Sequence, residues 1–214
     1  MGKNLHGYRK SYEKGTLTRQ KMDKDPLSQF QIWYAEAEIS AADEENNIMT
    51  LSSIGRDGFP RGRIVLLKEV DNGGFVFYTN YQSDKGKDIE QNNRVCISFF
   101  WPVLERQAII KGKAEKVSEE QSEVYFKTRP RGSQFGALVS PQSQVVENRV
   151  VLEYKLKELE GRYKDKEVPR PKHWGGYRIV PVEYEFWQGR ADRLHDRIRY
   201  SLENNNWKIE RLAP

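Results

Sequence analysis

Ile48-Met-Thr-Leu-Ser-Ser-Ile54, followed by Gly55-Arg-Asp-Gly58, is the stretch on which the fold turns. A short run rich in apolar and β-favouring residues that stops at a Gly/Asp turn is how a strand enters a hairpin. The same texture continues outward. Arg63-Ile-Val-Leu-Leu-Lys68 reads as the next strand, and Asp71-Asn-Gly-Gly74 turns the chain into Phe75-Val-Phe-Tyr-Thr79. Arg94–Trp101 and the run from Gln107 to Lys116 extend the meander. After a Pro-rich linker at 168–171, strands return at Tyr177–Trp187, Arg197–Ser201 and Trp207–Leu212. Short strands joined mainly by tight turns predict an antiparallel barrel rather than a doubly wound sheet. The expected class is mainly β with flanking helices (α+β).

The helices announce themselves by period and caps. Pro26 opens a pattern with Phe30, Trp33, Tyr34 and Ala37 at three-to-four spacing. Residues 83–91 read as a short helix. Ser118-Glu-Glu-Gln121 is a capping box that starts a helix through Tyr125 and Phe126. Pro130 interrupts it, and a second segment begins near Arg131. A third helix spans about 147–163, with Leu152, Leu156 and Leu159 on one face. Residues 1–25 are polar, basic and aperiodic; they are expected to form a mobile arm ahead of a single domain at 26–214.

Composition narrows the function classes. Lys and Arg total 36 against 31 Asp and Glu, a net charge of +5, with no basic run of the kind that makes a nucleic-acid tail. Dispersed cations favour discrete anion pockets. Only 37% of the 214 residues are hydrophobic, while 5 Trp, 11 Tyr and 9 Phe supply large buried areas, a balance that hints at burial between subunits. One cysteine, Cys96, excludes an internal disulfide and a cysteine zinc site, and three histidines make a His-rich centre unexpected, so no metal is predicted. No signal-peptide pattern and no apolar stretch of membrane-spanning length occur, so a cytosolic chain without a membrane partner is expected.

The usual backbone cradles for phosphate, G-x-G-x-x-G after a strand and G-x-x-x-x-G-K-[ST], are missing, as are G-x-S-x-G and H-E-x-x-H. Any phosphate must therefore be held by side chains, a task that suits the planar fork of arginine. Four places qualify. Arg63 and Lys68 bracket a continuous apolar run that implies burial on both faces; their odd separation points them to opposite sides, toward two different anions or simply toward solvent. Tyr125 and Arg129 share a helix face, with Arg131 and Ser133 opening the next helix, where free N–H groups attract anions. Ser83, Lys85 and Lys87 open a helix whose dipole disfavours cations unless an anion is present. Finally Arg193, His195, Arg197 and Arg199 share one face if that stretch is extended, beside Phe186-Trp187. Two arginines about 6 Å apart repel by roughly 3 kcal/mol at an effective dielectric of 20, which water or an anion would relieve.

These pieces, in order, match a family. Arg63–Lys68, Phe77-Tyr-Thr-Asn80, Leu104-Glu-Arg-Gln107, Tyr125-Phe-x-x-Arg-Pro-Arg131, Trp174-Gly-Gly176, Phe186-Trp-Gln-Gly189, Arg193-Leu-His-Asp-Arg197 and Arg211-Leu-Ala-Pro214 resemble the pyridoxamine/pyridoxine 5′-phosphate oxidases over nearly the whole chain from Arg9. The resemblance implies an FMN-binding split β-barrel working as a homodimer with FMN at the interface. It implies oxidation of pyridoxamine and pyridoxine 5′-phosphates to pyridoxal 5′-phosphate, with molecular oxygen as acceptor and hydrogen peroxide as product. FMN contacts fall to Arg63, Ile64, Val65, Leu66, Leu67, Lys68, Tyr78, Thr79, Lys85, Gln107, Gln142, Ser143, Trp187 and Arg197. The substrate phosphate falls to Lys68, Tyr125, Arg129 and Ser133. Arg193 and His195 hold the pyridine end as catalytic residues, and Arg9 and Tyr12 on the arm close over the pocket. Asp84 departs from the family, standing where a second arginine usually faces the FMN phosphate; it weakens that grip unless it turns outward and Lys87 substitutes. Pro141, just before Gln142-Ser143, is the other departure.

Two rivals remain in view. A related split-barrel flavoprotein could act on another substrate, although the set Lys68, Tyr125, Arg129, Ser133, Arg193 and His195 argues against it. A nucleic-acid-binding barrel would interleave exposed aromatics with Lys and Arg; here the aromatics lie mostly in strand cores.

Overall fold

In a computed structural model of the chain, Ile48–Ile54 forms strand β1 and reverses at Gly55–Gly58, where Gly58 N–H donates to the Gly55 carbonyl and Gly55 N–H to Phe59, both at 2.8 Å. The structure describes residues 2–71 and 73–214. The turn expected at Asp71–Gly74 includes Asn72, which lies outside the described residues. β2 (Pro60–Leu66), β3 (Glu69–Asp71), β4 (Gly74–Asn80), β5 (Arg94–Trp101), β6 (Arg106–Lys116), β7 (Trp174–Gln188), β8 (Asp196–Glu203) and β9 (Asn206–Leu212) follow. The strands are hydrogen-bonded in the order β2-β1-β5-β6-β7-β4-β3, with β8 on β7 and β9 on β8. The pairs β3–β4, β4–β7, β7–β8 and β8–β9 are antiparallel. Among the described residues five α-helices accompany them: α1 (Pro26–Ser40), α2 (Asp84–Gln91), α3 (Glu119–Thr128), α4 (Arg131–Val139) and α5 (Arg149–Arg162).

The caps explain where helices start. Asp25 accepts from Ser28 N–H (2.8 Å) with Pro26 at the first helical position, and Asn148 accepts from Val151 N–H (3.2 Å). At Ser118 only half of the capping box forms. The hydroxyl accepts from Gln121 N–H (3.0 Å), but the Gln121 amide reaches instead to Glu69 (2.8 Å) and Asp71 (3.0 Å). Ser118→Ala is expected to cost about 1 kcal/mol in a urea melt, the usual value of an N-cap.

The chain forms two compact units: Met1–Thr50 with Cys96–Lys111 and Pro181–Pro214, and Leu51–Val95 with Gly112–Val180. In the first, Phe30, Trp33 and Ala37 bury one face of α1; Trp33 meets Phe186 edge-on at 5.0 Å, and Phe30 meets Phe99 at 5.0 Å. In the second, β4 and β7 bury Phe75, Phe77, Tyr177 and Ile179. A satellite cluster there joins Phe126, Phe135, Val168 and Trp174 with Leu156 and Leu159 of α5, the face that the leucine spacing foretold.

One expectation fails. The apolar run after Arg63 is not buried on both faces: Ile64 is 61% exposed, and Val65 and Leu66 are half-buried. β2 ends the strand order, with β1 its one neighbour among the described residues, so a continuous apolar run here lines an edge. Cys96, in the apolar run of β5, is half-buried. No helix among the described residues is long and apolar enough to cross a membrane.

Candidate functional site

Edge strand β2, the end of β4, and helices α2, α3 and α4 enclose a cavity of about 690 Å³, within the range of small-molecule and cofactor sites. It lies in the second unit. Ile64, Val65 and Leu66 form an apolar wall; Lys68, Lys85 and Arg129 bring positive charge; Tyr78, Thr79, Tyr125, Ser133 and Gln142 add polar atoms. The structure thus brings together on one cavity most residues expected from the second unit, of both the flavin and the phosphate sets.

Each cation is held differently. Lys85, in the first turn of α2, has its Nζ 3.1 Å from Gln142 Oε1, 3.3 Å from Thr79 Oγ1 and 3.5 Å from Ser83 Oγ, all neutral oxygens. Burial and the nearby Arg63 guanidinium push its pKa down, with Asp84 opposing weakly. Arg129 caps α3 with extended backbone and lays its guanidinium 4.6 Å from the Trp174 ring. Its Nη1 is buried with no hydrogen-bond partner among the described residues, and burial lowers its pKa. A buried guanidinium nitrogen without a partner is costly, and an anion in the cavity would satisfy it. Tyr125 stacks on Tyr78 at 3.9 Å and 17°, and Tyr78 on Trp174 at 5.6 Å and 11°.

Ser133 behaves differently from expectation. Its N–H is already taken by the Pro130 carbonyl (2.8 Å), so it offers the cavity its hydroxyl rather than a free amide. Arg131 turns away to the Tyr163 and Lys166 carbonyls. Arg63 does not line the cavity. Its Nη1 donates to Ser53 Oγ (2.7 Å) and Leu51 O (3.3 Å), and Nη2 lies 3.8 Å from the fully buried Asp88. Asp84 turns to Arg61 at 3.8 Å, so Lys85, not Lys87, supplies the α2 charge.

The sequence reading missed the support behind this wall. Tyr78 O–H donates to Glu69 (2.7 Å), Gln121 bridges Glu69 and Asp71, and Arg178 grips Asp71 with two bonds of 2.9 and 2.7 Å. Burial first, and then Glu69, drive the Tyr78 pKa far upward, so the phenol stays a donor. The acids Glu69 and Asp71 lie beside a turn in sequence, and nothing in their spacing reveals a partner on α3.

Apart from Leu67, which is buried, and Ser143, the other expected residues belong to the first unit. There Trp187 lies 4.7 Å from the His195 ring, with Tyr12 at 5.8 Å from Trp187 and 5.9 Å from His195. His195 Nδ1 accepts the Arg190 N–H (3.1 Å), which leaves Nε2 as the free ring nitrogen. Gln107 is half-buried on β6, Arg9 is exposed, and Ser143, in the second unit, is an exposed turn residue at φ 68°. The four-cation face does not form. β8 begins only at Asp196, and Arg193 sits in a 3-10 turn at φ 60°, exposed. Arg197 is gripped by Glu185 (2.7 and 3.0 Å) and Arg199 by Glu210 (2.8 Å). The expected repulsion is relieved by carboxylates on neighbouring strands, which parity along one strand cannot show.

Comparison with known proteins places residues 35–163 in the family described as pyridoxamine 5′-phosphate oxidase, and residues 174–214 in the pyridoxine 5′-phosphate oxidase C-terminal dimerisation region. A pyridoxine/pyridoxamine 5′-phosphate oxidase of Flavobacterium psychrophilum is 55% identical, covering 99% of this chain and 100% of that one. A Christiangramia forsetii protein of the same name is 53% identical over 100% of both. Among solved structures, PhzG from Burkholderia lata in complex with tetrahydrophenazine-1-carboxylic acid superposes with a TM-score of 0.86 at 27% identity, covering 93% of this chain and 98% of that one. A pyridoxamine 5′-phosphate oxidase-related FMN-binding protein of Nostoc punctiforme gives 0.70 at 13%, covering 90% and 100%, a likeness of fold.

Proposed function

The chain belongs to the pyridoxamine 5′-phosphate oxidase family, with the antiparallel split-barrel fold, and from that premise we propose that it oxidises pyridoxamine and pyridoxine 5′-phosphates to pyridoxal 5′-phosphate with FMN as resident cofactor. The observation that carries the reading is the cavity of about 690 Å³ with unneutralised cations on its wall, above all Arg129 with its buried unpartnered Nη1. A phosphorylated ligand answers that arrangement.

The residues fit FMN. Lys85, Thr79 and Gln142 present a cation and neutral polar atoms at one end, the requirement of a phosphate, with Arg63 behind them. Ile64, Val65 and Leu66 offer the apolar wall that a flat ring needs. Bound FMN would supply the redox chemistry, a two-electron oxidation of the aminomethyl or hydroxymethyl carbon with molecular oxygen as acceptor and hydrogen peroxide as product.

The chain's own residues bind and orient. Lys68, Arg129, Tyr125 and Ser133 grip the substrate phosphate; charge-assisted bonds of roughly 1.5–3 kcal/mol each supply most of a micromolar affinity. The Tyr78–Tyr125 stack, fixed by Glu69, holds that grip rigid, so the reacting carbon is presented in one place. Arg193 stabilises developing charge, and His195, with Nδ1 occupied by the Arg190 amide, offers Nε2 to orient the pyridine ring. The working form is a homodimer with FMN at the interface, consistent with a dimerisation region at 174–214 and with the exposed apolar side chains Phe59 and Ile64. Leu67, Gln107, Ser143, Trp187 and Arg197 complete the flavin set.

Purified protein loaded with FMN is expected to release pyridoxal 5′-phosphate and hydrogen peroxide one to one from pyridoxamine 5′-phosphate in air. Flavin uptake without that product would favour the rival in which a related flavoprotein acts on another substrate.

A further inference from the structure

Glu105 is a carboxylate with no part in the reaction as set out, yet it is 2% exposed, on a backbone of φ 55° that few non-glycine residues adopt. Among the described residues, the partners of its carboxylate come from a segment about ninety positions earlier. Oε2 accepts Glu13 N–H at 2.8 Å and Lys14 N–H at 3.1 Å, and Oε1 lies 3.4 Å from Lys10 Nζ. Three residues on, Leu17 N–H donates to Asp196 (3.0 Å), and Arg211 reaches the Leu17 carbonyl (2.6 Å). The path of the strap is cleared on both sides. A Cβ on Gly189 would come within 2.7 Å of the Tyr12 ring, and one on Gly15 within 2.8 Å of the Gln188 amide. Gly189 N–H in turn donates to the Glu105 carbonyl (2.8 Å), so one residue fixes both the strap and the wall it lies on.

We infer that Glu105 is the positioning residue of this strap: its carboxylate docks residues 10–17 so that Tyr12 packs against the Trp187–His195 wall. The geometry is that of a latch. Two backbone donors converge on one buried carboxylate oxygen, a charge-assisted arrangement that a neutral side chain reproduces only in part. Docking places Tyr12 edge-on to Trp187 at 5.8 Å and beside His195 at 5.9 Å. The inference rests on the reading that Tyr12 and His195 face substrate; Glu105 touches neither substrate nor cofactor and acts through Tyr12.

The test compares wild type, Glu105→Gln and Glu105→Ala as FMN-loaded full chains, with Gly189→Ala as a second route to the same displacement should Glu105→Ala not fold. Tryptic cleavage after Lys10, Lys14 and Arg19 reads docking without reference to any substrate. The alanine variant is expected to be cut about tenfold faster, with glutamine between it and wild type, the scale of one lost charge-assisted bond. KM for pyridoxamine 5′-phosphate should rise in the same order, with kcat and bound flavin little changed. Unchanged cleavage in both Glu105→Ala and Gly189→Ala would overturn the latch, as would faster cleavage with KM unmoved. A wild type that ignores pyridoxamine 5′-phosphate would instead remove the functional reading, while the cleavage rates still decide whether Glu105 docks the strap.

Discussion

Arg129→Met is expected to raise the KM for pyridoxamine 5′-phosphate by roughly ten- to a hundredfold, the range set by losing one charged hydrogen-bond partner. The reasons are local. Arg129 is stacked on Trp174 and its Nη1 has no hydrogen-bond partner among the described residues. Its orientation is therefore prepaid by packing rather than assembled when ligand arrives. Because burial lowers its pKa, the guanidinium is a cost to the empty protein. The methionine variant should accordingly melt at the same temperature as wild type or higher, and its FMN content should not fall. A parallel loss of stability and affinity would mean that Arg129 serves the fold, not the phosphate. Steady-state kinetics and a thermal melt separate these outcomes.

Lys85→Met is expected to weaken FMN binding about tenfold or more while leaving the empty protein as stable as before, or more so. Lys85 hydrogen-bonds the neutral oxygens of Thr79, Ser83 and Gln142, and burial followed by Arg63 depresses its pKa. For such a group the sign is clear. A lysine whose folded pKa is depressed costs stability while it is charged in the unfolded chain. The cost is full below the depressed folded pKa and disappears as pH rises past the ordinary lysine value, above which both states are neutral. The stability gap between wild type and Lys85→Met should therefore close in alkali, and bound FMN should reverse it at neutral pH. Arg63→Leu should also lose flavin, because Arg63 stands behind Lys85. Arg193→Leu, in an exposed turn, should cut turnover while retaining flavin. Fluorescence titration of free FMN measures each case; equal flavin loss in the Arg63 and Arg193 variants would contradict this division of work.

Much of the architecture was legible because local rules and tertiary demands agree in this chain. The Ser118 cap, the Pro26 start, the Pro130 break and the placing of Leu156 and Leu159 on one face of α5 each act over a few residues, and each appears where the spacing puts it. What was not legible depends on strands that are distant in sequence. The arginines of β8 look like a repelling row until Glu185 on β7 and Glu210 on β9 are in register beside them. Arg63 looks like a ligand at the end of a buried strand, but β2 is an edge and the guanidinium faces Ser53 and Asp88. Asp84 looked like a defect in an anion site, and it points to Arg61 instead. For the cavity itself, the motif residues Lys68, Tyr78, Tyr125, Arg129 and Ser133 do meet on one surface. Their buttress of Glu69, Gln121, Asp71 and Arg178 carries no local signature, since each member is an ordinary surface residue until the fold pairs them.

The claim at the centre of this account is that the cavity holds a flavin and presents a phosphorylated B6 vitamer to it. Anaerobic addition of pyridoxamine 5′-phosphate to the FMN-loaded protein tests it in one step. The yellow absorbance should bleach with one equivalent of substrate and return on admission of air. A protein that takes up FMN yet keeps its colour with pyridoxamine and pyridoxine 5′-phosphates, or one that takes up no FMN, would contradict it.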